Sequence, residues 1–224
     1  MSTMRTRIKF CGLVRPVDVD TAVALGVDAI GFVFYPKSPR ALAAHEAAAL
    51  RRRLPSYVAA VGLFVNASPE QIRATASQAG LDVIQFHGDE TAPQCEQATP
   101  DGLAYWRAVR MRGPGDLLES LARFERAEAL LLDSFSEGFG GSGQGFDWSW
   151  IPASRGKPLV MSGGLDADTV GAAIVAVRPM AVDVSSGIQG ADARVKDQAR
   201  MERFVAAVIE ADARANARGA ISES

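Results

Sequence analysis

Short apolar runs alternate along the chain with stretches in which apolar residues recur at three-and-four spacing, and the alternation repeats eight times. The runs read as strands over residues 7–11, 29–35, 58–65, 82–87, 104–111, 129–135, 159–162 and 181–185. Helical spacing covers 17–25, 44–54, 69–79, 116–126, 168–177 and 198–213. Ser68 followed by Pro69 and Glu70 predicts a helix start, and Asp166 is placed to cap the helix after it. The segment 148–154 is the weakest, because Pro152 shortens any helix there. Beyond 214 the pattern fades into a polar, alanine-rich stretch, expected to fray over 215–224.

A strand that returns parallel to its predecessor after a helix does so by a right-handed crossover. Eight such units close into a barrel, so the expected fold is α/β: a single-domain (β/α)₈ barrel of the TIM type with a parallel sheet, spanning 1–214. An open doubly wound sheet is the competitor. It normally carries a glycine-rich turn after its first strand, and Cys11-Gly12-Leu13-Val14 is not such a turn.

Composition narrows the function without choosing it. With 24 basic against 26 acidic side chains, the net charge of -2 leaves no electrostatic footprint for nucleic acid or an anionic membrane. No run of about eighteen apolar residues occurs, so no membrane span is expected. The basic start runs straight into a strand without a secretory pattern, and a cytoplasmic setting is the expectation. The two cysteines, Cys11 and Cys95, lack the spacing of a zinc site or a disulfide framework.

Chemistry in such a barrel belongs at the C-terminal ends of the strands. There the chain places Cys11, then Lys37-Ser38-Pro39-Arg40, His87-Gly88-Asp89-Glu90, Asp133, Ser162-Gly163-Gly164 and Ser185-Ser186-Gly187. Polar and reactive types therefore gather at one rim. Each also has a plainer reading: a buried cysteine packs as a small hydrophobe, an aspartate caps a turn, a loop arginine is solvated. Lys9 shares the face of Cys11 by strand alternation. It is placed either to favour a thiolate or to pair with a barrel carboxylate such as Asp183, and residue types alone leave both open.

The segments IKFCG at 8–12, GVDAIGFVFYPKSPR at 26–40, VGLFVN at 61–66, VIQFHGDE at 83–90, LLDS at 131–134, GGSGQGFDW at 140–148, MSGGL at 161–165 and AVDVSSGI at 181–188 together resemble the phosphoribosylanthranilate isomerases of tryptophan biosynthesis. The resemblance implies an Amadori rearrangement of N-(5-phosphoribosyl)anthranilate, a small phosphorylated aminosugar, with one acid, one base and no cofactor. It implies Asp133 as the general acid, which must hold a proton to act, and Cys11 as the base that takes the C2 proton. Arg40 then holds the anthranilate carboxylate, since a guanidinium binds a carboxylate through paired hydrogen bonds. Gly163, Gly164, Ser185 and Ser186 bind phosphate, and His87 has a positioning or hydrogen-bonding role. The glycine-rich segment 136–145 resembles a flap over the phosphate, with Gly141-Ser142-Gly143 offering backbone contacts.

Many relatives carry glutamate where this chain has Gln189, which puts a carboxylate role there in doubt. His45 and Cys95 are expected to be bland. A monomer or a homodimer fits the sequence equally. Two other functions remain in view: a related phosphate-binding barrel running a decarboxylating ring closure, which would need lysine and glutamate at strand ends, and a barrel kept as a binding module, which would have a damaged site.

Overall fold

The computed structural model describes residues 5–134 and 145–221, with side chains to 217. Eight parallel strands close in sequence order: β1 (Arg7–Cys11), β2 (Ala29–Val33), β3 (Ala59–Phe64), β4 (Val83–Phe86), β5 (Ala104–Met111), β6 (Ala129–Ser134), β7 (Leu159–Met161) and β8 (Ala181–Val184), with β8 hydrogen-bonded back to β1. The helices are α1 (Pro16–Ala24), α2 (Ala44–Arg51), α3 (Pro69–Ala79), α4 (Ala92–Ala98), α5 (Pro114–Arg123), α6 (Val170–Val177) and α7 (Gln198–Ile221).

Side-chain alternation splits the apolar residues into two bodies. Ala29, Val61, Val83, Trp106, Ala108, Ala129, Leu131, Val160 and Ala181 form a small cluster that fills the barrel interior. The larger cluster, with Ile8, Phe10, Ile30, Phe32, Phe64, Ile84, Phe86, Leu130, Leu132, Val182 and Val184 from the opposite strand faces, packs under the helices. The interior is a filled layer, so polar residues of the same parity are pushed to its C-terminal mouth.

Local chemistry explains the element ends. Ser68 Oγ accepts from the Gln71 backbone N–H at 3.2 Å while Gln71 Oε1 accepts from Ser68 N–H at 3.1 Å, so α3 starts with a reciprocal cap. Asp166 Oδ1 accepts from the Asp168 and Thr169 backbone N–H groups at 3.0 and 2.9 Å. That turn delays α6 to Val170, two residues later than the spacing predicts. Among the described residues between β6 and β7 stands a 3₁₀ turn, Trp148–Trp150, with Pro152 just after it.

Where the sequence pattern weakens after 214, α7 continues to Ile221. Ala215 is buried, and its carbonyl accepts from Arg178, which has a left-handed backbone at the end of α6. Tertiary contact thus extends the helix past the point where its own pattern weakens.

Candidate active site

A cavity opens at the C-terminal mouth of the barrel, and all eight residues singled out for the site line it: Cys11, Arg40, His87, Asp133, Gly163, Gly164, Ser185 and Ser186. Gln85, Asp183, Tyr35, Ser38 and Leu165 complete much of its wall.

Cys11 ends β1 beside Gly31 of β2. A Cβ on Gly31 would stand 2.7 Å from Cys11 Sγ and 3.1 Å from Lys9 Nζ, so the missing side chain makes room for both groups. Lys9 Nζ donates to Asp183 Oδ1 at 2.8 Å, with both side chains buried. The ion pair and the proximity to the thiol therefore coexist, since Lys9 Nζ and Cys11 Sγ both crowd the same open side of Gly31. Burial pushes the Cys11 thiol up, Lys9 and Lys196 pull it down, and the Asp183 charge adds to the rise; the net direction is upward. The buried ammonium of Lys9 is nevertheless held charged, since Asp183 and Cys11 outweigh its desolvation.

Asp133 ends β6 with two dissimilar oxygens. Oδ2 lies 3.2 Å from His87 Nε2, and Gln85 Nε2 lies 3.1 Å from His87 Nδ1. Gln85 has its amide nitrogen toward Nδ1, so Nδ1 accepts and Nε2–H is left to donate to Asp133. Oδ1 is buried with no hydrogen-bond partner among the described residues. Gly163 covers it: a Cβ there would come within 2.7 Å of Oδ1 and 2.3 Å of Ser134 N, and Gly163 has φ +77°. No other residue fits that turn without moving the aspartate.

Arg40 lies across Gly12, whose added Cβ would meet Arg40 Cδ at 2.5 Å. Its Nη1 donates to Gln189 Oε1 at 3.2 Å. The side chain at 189 thus contacts the guanidinium as a neutral acceptor.

The loops after β7 and β8 pack backbone to backbone, because a Cβ on Gly187 would stand 2.1 Å from the Leu165 carbonyl oxygen. Gly163 and Gly164 both have positive φ, and a 3₁₀ turn, Ser186–Ile188, begins immediately after Ser185. The two small-residue loops form one rim. Of the expected flap, Gly138, Gly140, Gly141 and Gly143 lie outside the described residues, and only Gly145 falls within them.

Two site residues escaped the sequence reading. Gln85 was hidden inside an apolar strand, where its parity with His87 and Val83 could have flagged it as facing the barrel interior. Lys196 sits in a polar stretch that reads as solvated, yet it is buried and its Nζ donates to the Ser185 carbonyl at 2.8 Å. His45 and Cys95 lie outside this cavity.

Among the described residues no cluster of three or more His, Cys, Asp or Glu side chains is arranged to hold a metal, and no helix is long and apolar enough to cross a membrane.

Residues 8–207 match the family described as N-(5'-phosphoribosyl)anthranilate isomerase. The chain is 54% identical over 211 residues to the protein of that name from Methylibium petroleiphilum, covering 94% of this chain and 97% of the relative. It is 52% identical over 210 residues to that from Dechloromonas aromatica, covering 93% and 99%. The crystal structure of phosphoribosyl anthranilate isomerase from Thermotoga maritima superposes with a TM-score of 0.85 at 38% identity, covering 92% of this chain and 99% of that one. A structure of such an isomerase in complex with reduced 1-(o-carboxyphenylamino)-1-deoxyribulose 5-phosphate superposes with a TM-score of 0.82 at 36% identity, covering 92% and 99%. A match of this extent, over a closed eight-stranded barrel, makes the chain a member of the N-(5'-phosphoribosyl)anthranilate isomerase family.

Proposed function

We propose that this chain isomerises N-(5-phosphoribosyl)anthranilate to 1-(2-carboxyphenylamino)-1-deoxyribulose 5-phosphate, with Asp133 as the acid and Cys11 as the base. The observation that carries this division of labour is the pair's placement in one cavity, each at a strand end and each with a distinct charged or polar support.

Ring opening comes first. Asp133 delivers a proton to the furanose oxygen as the C1–O bond breaks, and the nitrogen lone pair forms the C1=N bond of the Schiff base. His87 holds Oδ2, while Oδ1 is packed beneath Gly163, so the carboxyl group is fixed at the cavity wall. Cys11 then removes the C2 proton. The C–H electrons form C1=C2, the iminium nitrogen becomes neutral, and the resulting enolamine becomes the ketone as C1 takes up a proton and the C2 hydroxyl gives one up. Lys9 favours the thiolate electrostatically, and its own charge is balanced by Asp183.

Arg40 suits the anthranilate carboxylate, and Gly163, Gly164, Ser185 and Ser186 suit the phosphate. The reading needs no cofactor and fits a cytoplasmic enzyme. Incubating the purified chain with N-(5-phosphoribosyl)anthranilate should give the deoxyribulose phosphate without release of CO₂. Failure to turn over the substrate would reject the proposal, and CO₂ release would favour the ring-closing alternative.

A further inference from the structure

Lys196 stands outside the acid, base, carboxylate and phosphate assignments, yet it is only 4% exposed. Its Nζ donates to the Ser185 carbonyl at 2.8 Å and lies 3.4 Å from Ser185 Oγ. Ser185 Oγ in turn donates to the Cys11 carbonyl at 3.0 Å. The end of β1 and the loop after β8 are thus joined through one serine, with an ammonium behind it.

A buried ammonium is costly unless its charge is used or offset. Among the described residues the hydrogen-bond partners of Lys196 Nζ are the two oxygens of Ser185, neither of them a carboxylate. Asp18, the acid nearest in chain contact, accepts from the Lys196 backbone N–H at 3.3 Å and is already bound by Arg15. Lys9 is different, since Asp183 balances it at 2.8 Å. Lys196 therefore adds to Lys9 a second positive charge acting on the thiol, one with no carboxylate among its hydrogen-bond partners in the described residues.

We propose that Lys196 is a positioning residue for Cys11: it ties the phosphate loop to the end of β1 through Ser185 and supplies, beside Lys9, a positive charge that favours the thiolate. The inference rests on the reading of Cys11 as the base.

The charged groups acting on Cys11 are Lys9, Asp183 and Lys196, and those acting on Lys196 are Cys11, Arg40, Asp183 and Asp18; His87 and Asp133 share the cavity. Burial, with Arg40 adding to it, brings the Lys196 ammonium down to about 8. Its support of the thiolate is full below that pH and fades above it, so the two groups titrate as a coupled pair.

The test is the rate at which iodoacetamide alkylates Cys11 in the ligand-free full chain, measured against pH, because that rate follows the thiolate fraction. Lys196→Met removes both the charge and the donor, whereas Lys196→Gln keeps a donor for the Ser185 carbonyl and removes only the charge. Both should slow alkylation about tenfold at neutral pH and move its midpoint upward. Lys196→Gln with an unchanged alkylation profile would overturn the proposal, since a purely structural tether would be preserved in that variant. The base assignment fails separately: Cys11→Ala retaining full turnover would remove it while leaving the alkylation shift intact.

Discussion

His87 Nε2 lies 3.2 Å from Asp133 Oδ2, while Oδ1 is buried beneath Gly163 without a hydrogen-bond partner among the described residues. His87 is thus the side chain that orients the carboxyl group. His87→Ala should therefore lower kcat with little change in KM. A lost hydrogen bond to a charged group is about 1.5–3 kcal/mol, or roughly 10- to 150-fold in rate. Steady-state kinetics on a variant that retains its melting temperature checks this, and an effect confined to KM would contradict it.

Asp133→Asn and Cys11→Ala should each reduce kcat by about 10²-fold or more with the barrel intact. Asparagine keeps the shape beside Gly163 but has no carboxyl proton to deliver. Circular dichroism alongside the kinetics separates lost chemistry from lost fold.

The eight strands and the rim residues were legible because barrel geometry converts strand ends into a list of site candidates. Cys11, Asp133, His87, Gly163 and Ser185 all follow an apolar run directly, so one-dimensional order places them. Gln85 and Lys196 were not legible by that rule. Gln85 reaches the site by side-chain parity one layer deeper, and Lys196 reaches it because the chain after β8 folds back, with Gly190 N–H donating to the Val195 carbonyl at 2.8 Å. The extension of α7 was equally hidden, since Ala215 is buried by contact with Arg178 rather than by its own helix pattern.

Arg40→Ala should raise KM more than it lowers kcat, because a carboxylate anchor remote from the reacting carbons binds ground and transition states alike. A pure kcat defect would place Arg40 at the chemistry instead.

Cys11 and Cys95 should differ sharply toward thiol reagents. Cys95 is fully buried, and that burial pushes its thiol up to about 12, so its thiolate is scarce at neutral pH. One thiol per folded chain should react, and the reduced product analogue should protect it. Mass spectrometry of the labelled peptide identifies the site, and faster labelling of Cys95 would contradict the assignment.

Because the Cys11 thiol is pushed up by burial, and the base acts only when deprotonated, kcat/KM should rise with pH from neutrality into the alkaline range. A profile that falls over that range would show that a different group limits the proton abstraction.

Breaking the Lys9–Asp183 pair by Lys9→Met leaves a buried carboxylate uncompensated, which should cost about 3–5 kcal/mol of stability. Urea unfolding measures it, and the double variant Lys9→Met/Asp183→Leu should recover part of the loss.

The most direct test of the Cys11–Asp133 division is a structure of this chain with reduced 1-(o-carboxyphenylamino)-1-deoxyribulose 5-phosphate bound. The account predicts the phosphate at Gly163, Gly164, Ser185 and Ser186, the carboxylate at Arg40, and C2 about 3–3.5 Å from Cys11 Sγ. A ligand whose C2 faces Asp133, with Cys11 Sγ out of reach, would contradict it.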